Sequence, residues 1–199
     1  MYAINNIVEM VRKYFPKGIQ YDSADYKLSQ EYLRLLSRKS FHIKNETVKK
    51  IKSELDGAFK EYEVMNWTDL DMYNGFEFRI LLHKDQKILD DDIELIKSLS
   101  NTRKDLHLFI SSLENYYFYF INRTQWNEKD DDWTFQKQYT VPDENKTIIA
   151  TLESLMKSLG YIRLSYNEAK TLINNVELEC VGEGHVTVFN CLFSDIEKI

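Results

Sequence analysis

The chain has 199 residues, of which 43% are hydrophobic, 14% aromatic and 29% charged, and its formal net charge is −6. This length suits one domain or at most two small ones, and the apolar content suffices for a substantial core, which excludes wholesale disorder. No apolar run reaches membrane-spanning length, so we expect neither a transmembrane helix nor a membrane partner.

The charge balance disfavours nucleic acid as a partner. Proteins that bind nucleic acid normally carry a basic stripe that neutralises phosphates. The densest basic stretch here, from Arg34 to Lys52, alternates with apolar residues as the solvated face of a helix does. An acidic chain suits a basic protein partner better. The N-terminus lacks the basic segment of a signal peptide, so we expect a cytoplasmic location. Abundant Lys, Asn, Ile and Tyr indicate an AT-rich, bacterial genome.

The first third of the chain, residues 1–62, is predicted to be mostly helical. Its apolar residues recur with a period of 3.6, which indicates three helices at 2–14, 26–38 and 46–60. Asn45 is the expected N-cap of the third helix, since its side chain can accept a hydrogen bond from an otherwise unpaired backbone amide.

From residue 63 onward the pattern predicts a mixture of strands and helices. Alternation with a period of two indicates four strands, at 76–82, 106–111, 116–122 and 133–139. Between the first two of these strands, Asp90–Asp92 precede a short helix that begins at Ile93, where carboxylates favour a helix N-terminus. In the aromatic strand at 116–122, alternate rings on one face are expected in the core. The rings on the other face are either covered by helices or form a wet binding face with tyrosine hydroxyls.

The C-terminal part is predicted to contain two further helices and a hairpin. A helix runs from Pro142 to Leu159, and a short strand at 161–164 precedes a helix with a capping box between Ser165 and Glu168. Two alternating runs, 176–181 and 185–193, flank a glycine-bounded turn and indicate a terminal β-hairpin. Segregated helices and mainly antiparallel strands define the α+β class, and we interpret residues 1–199 as a single domain with an N-terminal helical segment.

Reactive side chains form no recognisable motif. The predicted hairpin places Cys180 and Cys191 on opposite faces, which excludes a disulfide between them and favours two packed thiols. The spacing of these cysteines around His185 does not match a metal site. We therefore predict no catalytic residue, no metal and no cofactor. The alternative is an enzyme or small-ligand-binding protein whose site assembles only in three dimensions, with His83 or His107 beside tyrosines and carboxylates in a pocket.

An acidic loop between two predicted strands is the strongest candidate for a binding site. Residues 123–132 are predicted to form a polar loop, and no alternating Asp/Asn pattern or glycine supports calcium binding there. The loop is either a solvated hairpin tip or a recognition loop, because aromatic anchors beside carboxylates suit an interface with a basic protein. The partner-binding candidates are Trp126, Glu128, Asp130, Asp131, Asp132 and Trp133.

The general character of the chain resembles that of a known family. An acidic, aromatic-rich α+β chain without a catalytic signature, which ends in a helix followed by Leu159-Gly160-Tyr161-Ile162-Arg163-Leu164 and a strand from Val186 to Asp195, is similar to the immunity proteins of bacterial polymorphic toxin systems. The resemblance covers the whole chain and transfers no site residue. It implies a cytoplasmic antidote that binds a cognate toxin, often a basic nuclease, and occludes its active site. A structural or oligomerisation protein that uses the N-terminal helices is a third hypothesis, and the oligomeric state stays open.

Overall fold

A computed structural model describes residues 2–83 and 93–199, so the predicted role of Asp90–Asp92 lies outside the described residues. Helices and a mainly antiparallel sheet confirm the α+β class. The helices of the described part are α1 (Tyr2–Val11), α2 (Ala24–Leu28), α3 (Gln30–Lys44), α4 (Thr47–Ala58), α5 (Ile93–Ser98), α6 (Lys146–Ser158), α7 (Tyr166–Ala169) and α8 (Val188–Leu192). The strands are β1 (Val64–Asn66), β2 (Gly75–Leu81), β3 (Thr102–Ser111), β4 (Tyr116–Asn127), β5 (Asp132–Gln138) and β6 (Ile162–Arg163).

The sheet has the order β1-β2-β3-β4-β5, with every neighbouring pair antiparallel. Strand β4 is long enough to pair with two strands on the same side. Its second half pairs with β5, from Ile121 opposite Gln138 onward, and its first residues pair in parallel with β6. The β4–β5 hairpin continues for two residue pairs beyond Gln125, the last β4 residue that pairs with β3.

Both faces of the sheet are buried along its middle, so the second face of the aromatic strand is covered and is not a wet binding face. One face carries Leu108 and Tyr119, which pack with the apolar stripes of α4 and α6. The opposite face carries Phe109 and Phe118, which pack with α1 and with Phe189 of α8. Cross-strand neighbours share a face because side chains alternate along each strand. The sheet is thus the middle layer of the fold.

The predicted terminal hairpin is wrong. Residues 176–187 form turns and an isolated bridge, and the chain then enters α8. A capping box starts this helix, because Thr187 Oγ1 accepts from the Asn190 amide and Asn190 Oδ1 accepts from the Thr187 amide. Every residue from Val188 to Leu192 is buried, so this segment lacks the solvent-exposed face that an alternating strand requires. Cys191 is buried as predicted, whereas Cys180 is exposed, and both cysteines are free.

The boundaries of the N-terminal helices also differ from the predicted ones. Ser29 divides the predicted helix at 26–38, since its side chain accepts a hydrogen bond from the Tyr32 amide and starts α3. Asn45 is not the N-cap of α4. Its amide nitrogen donates instead to the Phe41 carbonyl at the end of α3, and Glu46 holds the capping position with φ of 51° and no side-chain capping bond. A side-chain bond to the preceding helix competes successfully with the predicted cap.

Candidate functional site

The predicted acidic loop is shorter than expected because β4 continues to Asn127. The last cross-strand pair, Asn127 with Asp132, leaves residues 128–131 as the loop. Hydrogen bonds within the loop define its shape. Asn127 Oδ1 accepts from the Lys129 amide at 3.2 Å, its Nδ2 donates to Asp130, and Asp132 Oδ1 accepts from the Trp133 amide at 2.8 Å. We call residues 128–132 the acidic tip.

All five residues of the acidic tip are exposed, and they carry four carboxylates and one lysine. Glu128 lies 3.7 Å from the Lys97 ammonium of α5, while Asp130 and Asp132 take part in the loop's own hydrogen bonds. Asp131 adopts a positive φ of 51° and makes no ion pair or side-chain hydrogen bond with any residue that the structure describes. The tip is therefore a strongly negative hairpin end in which Asp131 has no partner among the residues that the structure describes.

The two tryptophans beside the acidic tip occupy different environments. Trp126 is only 6% exposed and packs on Trp133 with their ring centroids 4.8 Å apart. Trp133 is half-buried, so its ring lies between Trp126 and the solvent. The structure thus places five of the six predicted residues at the surface, and Trp126 beneath them.

An exposed aromatic residue next to this pair is absent from the predicted site. Phe135 lies two positions beyond Trp133 on the same face of β5, and 63% of it is exposed. The period of two in residues 133–139 places Trp133, Phe135 and Lys137 on one face, which is the pattern that could have revealed it. Whether such a face is covered depends on the rest of the fold.

Further along the same sheet face, a polar cleft with a volume of about 310 Å³ interrupts the buried surface. Its walls come from four neighbouring strands and from the C-terminal segment. The residues that line this polar cleft are Arg79, Arg103, Asp105, His107, Phe120, Asn122, Phe135, Lys137 and Glu197. Register explains the grouping, because His107 stands opposite both Arg79 and Phe120, and Asn122 stands opposite both Asp105 and Lys137.

Charged groups in the polar cleft form ion pairs of very different burial. Arg103 Nε lies 2.9 Å from Asp105 Oδ2, and their side chains are only 5% and 3% exposed. The Lys137 ammonium contacts the Glu197 carboxylate and the carbonyl of Lys198, and the side chains of Lys137 and Glu197 are 29% and 27% exposed. The first pair is part of the interior, while the second lies at the opening of the cleft.

His107 is the central uncharged group of the polar cleft. Its ring stacks on Phe120 with centroids 4.9 Å apart and planes inclined by 19°, and only 6% of the residue is exposed. Burial, reinforced by the positive charges of Arg79, Lys137 and Arg103, lowers the pKa of His107 to about 3. The ring is therefore neutral at pH 7, and its Nδ1 has no hydrogen-bond partner among the described residues. His83, the other predicted pocket histidine, follows β2 and does not line the cleft.

A second cavity, with a volume of about 630 Å³, lies in the C-terminal segment and brings Cys180, His185 and Asp195 to one surface. Desolvation and the nearby carboxylates of Asp195 and Glu179 raise the pKa of the Cys180 thiol, which keeps it protonated. A nucleophilic cysteine requires the opposite environment, with a lowered pKa. Among the described residues, no group of three or more histidines, cysteines and carboxylates has the arrangement of a metal site.

Comparison with known proteins yields no relative for this chain. No protein family, no characterised protein and no solved structure matches it significantly. Within the described residues, none of the helices combines the length and the apolar character needed to cross a membrane.

Proposed function

We propose that this chain is a protein-binding module that contacts a basic partner through the acidic tip and the aromatic residues beside it. The resemblance in general character suggests the finer form of this proposal, a cytoplasmic bacterial immunity protein that occludes a basic toxin. The observation that carries the proposal is the cluster of four exposed carboxylates on an ordered hairpin end.

Charge and apolar surface have separate roles in such an interface. Complementary charge mainly accelerates the encounter and selects the partner. Buried aromatic anchors supply most of the affinity and are concentrated in a few residues. The half-buried Trp133 and the exposed Phe135 are the rings closest along β5 to the carboxylates, so they are the expected anchors. The buried Trp126 packs beneath Trp133.

The solvated-tip alternative explains only part of the arrangement. Hydrogen bonds of the turn account for Asp130 and Asp132, and the pairing with Lys97 accounts for Glu128. The positive φ of Asp131 also suits an aspartate in a turn, but nothing in the turn accounts for the 63% exposure of Phe135. An exposed carboxylate and an exposed phenyl ring near one hairpin end favour contact with another protein.

The test uses the product of a toxin gene adjacent to the gene for this chain, if the genome carries one, as the defined partner. We expect Asp131→Lys to reduce its affinity about tenfold or more, mainly through slower association, and Phe135→Ala to reduce it by a similar factor through faster dissociation. Surface plasmon resonance measures both rates. Glu54→Lys, on the exposed surface of α4, makes the same change in net charge away from the tip and is the matched control.

The two classes of outcome are distinct. A loss of affinity in Asp131→Lys but not in Glu54→Lys supports contact at the acidic tip, and high salt should then weaken wild-type binding. Equal affinities of the two lysine variants would remove the tip from the interface.

A further inference from the structure

Burying the charged side chains of the polar cleft is unfavourable for folding. Apolar clusters border it along the same sheet face, with Phe109 and Phe118 on one side and Leu81 and Leu95 on the other. Removing charges from water costs several kcal/mol per ion, and hydrophobic side chains of similar volume often replace buried ion pairs without loss of stability. Three cationic residues and a neutral histidine nevertheless share this cleft. Their presence requires an explanation other than packing.

Hydrogen bonding in the polar cleft is incomplete. His107 is more than nine-tenths buried, yet its Nδ1 has no partner among the described residues. A neutral imidazole offers one N–H donor and one acceptor nitrogen, and leaving such a group unpaired in the interior is unfavourable. The cleft, with about 310 Å³, is within the size range of small-molecule sites. His107 also lines the cleft, so a molecule bound there lies against this ring.

The sign of the expected ligand's charge follows from how the charged residues of the cleft are paired. Arg103 pairs with Asp105 in the interior and Arg79 Nε lies 3.3 Å from Glu77. Lys137 instead pairs with Glu197, which lies two residues from Ile199 and reaches the cleft from outside the sheet. Because this pair is partly exposed, replacing its carboxylate costs little compared with opening the buried pair. Without Glu197, the Lys137 ammonium at the opening of the cleft favours an anion.

We propose that the polar cleft binds a small aromatic anion, whose carboxylate or phosphate takes the place of Glu197 on Lys137 while its ring packs against Phe135. In the unliganded protein, Glu197 occupies the anion position as an internal competitor. His107 orients the ligand from the floor of the cleft by a hydrogen bond. This site shares Phe135 with the proposed protein interface but uses none of the carboxylates of the acidic tip.

The experiment titrates the full chain with benzoate and with phenyl phosphate, and follows binding by calorimetry and by the histidine ring signals in NMR spectra. We expect a dissociation constant of about 1 mM or below for at least one of these probes, together with a shift of the His107 signals, which His107→Gln identifies. Benzyl alcohol, which has the ring without the charge, and inorganic phosphate, which has the charge without the ring, should each bind at least about tenfold more weakly.

Two substitutions should change the affinity for the probes in opposite directions. Glu197→Gln removes the internal competitor and should tighten probe binding by about threefold or more, whereas Lys137→Gln should weaken it by about tenfold. Lys157→Gln, on the exposed surface of α6, removes the same charge away from the cleft and should bind like the wild type. Unchanged circular dichroism and thermal unfolding confirm that each variant is folded.

The outcomes decide the proposal in either direction. Tighter binding by Glu197→Gln and weaker binding by Lys137→Gln support it. If Lys137→Gln does not fold, Glu197→Gln alone carries the test. Absence of probe binding to Glu197→Gln, or equal binding by Glu197→Gln and the wild type, overturns the proposal.

Discussion

At the scale of single residues, His107 links the polar cleft to the stability of the fold. Its pKa of about 3 in the folded chain lies far below the ordinary histidine value near 6.5. Above about pH 6.5 the ring is neutral in both states and stability does not depend on it. Below that pH the unfolded chain gains a proton that the folded chain does not accept, so stability is lost as the pH falls from about 6.5 toward about 3.

The difference between the pKa values of His107 in the folded and unfolded chain predicts that the free energy of unfolding depends on pH. Each pH unit in that window should cost about 1.4 kcal/mol, so His107 accounts for a loss of about 2 kcal/mol between roughly pH 6.5 and pH 5. Urea unfolding across this range measures the loss, and His107→Gln should reduce it by that amount. Burial also lowers the pKa of His42. Because His42 is present in both the wild type and the His107→Gln variant, its effect cancels when the two are compared. An equally steep pH dependence in His107→Gln would contradict a buried neutral ring.

At the scale of elements, the β4–β5 hairpin separates residues that stabilise the fold from residues available for contact. The rings of Trp126 and Trp133 pack together below the acidic tip, and Phe135 extends the same face into solvent. The local sequence does not predict which of the three rings is buried, because each lies near the carboxylates at an alternating position. Only their burial distinguishes them.

Alanine substitutions should reveal this distinction. Trp126→Ala removes a side chain that is 6% exposed, and we expect the free energy of unfolding to fall by about 3 kcal/mol or more. Phe135→Ala, at a position that is 63% exposed, should change the free energy of unfolding by less than about 0.5 kcal/mol. Chemical denaturation measures both. A large loss in Phe135→Ala would show that its ring is buried in the folded chain.

At the scale of the whole molecule, the C-terminal segment packs against the start of β2, and its backbone makes the contacts. The Asn74 amide donates to the Phe193 carbonyl at 3.0 Å, and Asn74 Nδ2 donates to the Cys191 carbonyl at 3.2 Å. Gly75 allows this approach, because a Cβ there would lie 3.0 Å from Phe193 Cα and 3.1 Å from the Ile110 carbonyl oxygen. Residues that are distant in sequence therefore meet where one position has no side chain.

Two glycine substitutions test this docking. Gly75→Ala should lower the free energy of unfolding by about 1–3 kcal/mol, since the contacting atoms are backbone and cannot move aside easily. Gly57→Ala, inside α4 with no atom within 4 Å of the added Cβ, should instead raise it by about 0.5–1 kcal/mol. Thermal or urea unfolding compares them. Equal effects of the two substitutions would contradict the close approach at Gly75.

Local patterns in the sequence determined much of this protein. The period of 3.6 located the helix that ends at Ser158, and the capping box of Ser165 with Glu168 located the start of α7. Alternation located β2 and the aromatic strand, and the carboxylates between two strands located the acidic tip. These features depend on neighbours within a few residues, so periodicity and capping chemistry suffice to find them.

Tertiary structure alone decided the C-terminal segment and the polar cleft. Residues from Val188 to Leu192 alternate like a strand, but burial on every side and the cap at Thr187 favour a helix. The cleft joins Arg79, His107 and Glu197, which lie far apart in the chain, because strand register and the docked C-terminal segment bring them together. Long-range register and packing, unlike helix periodicity, depend on which surfaces the rest of the chain leaves to be covered.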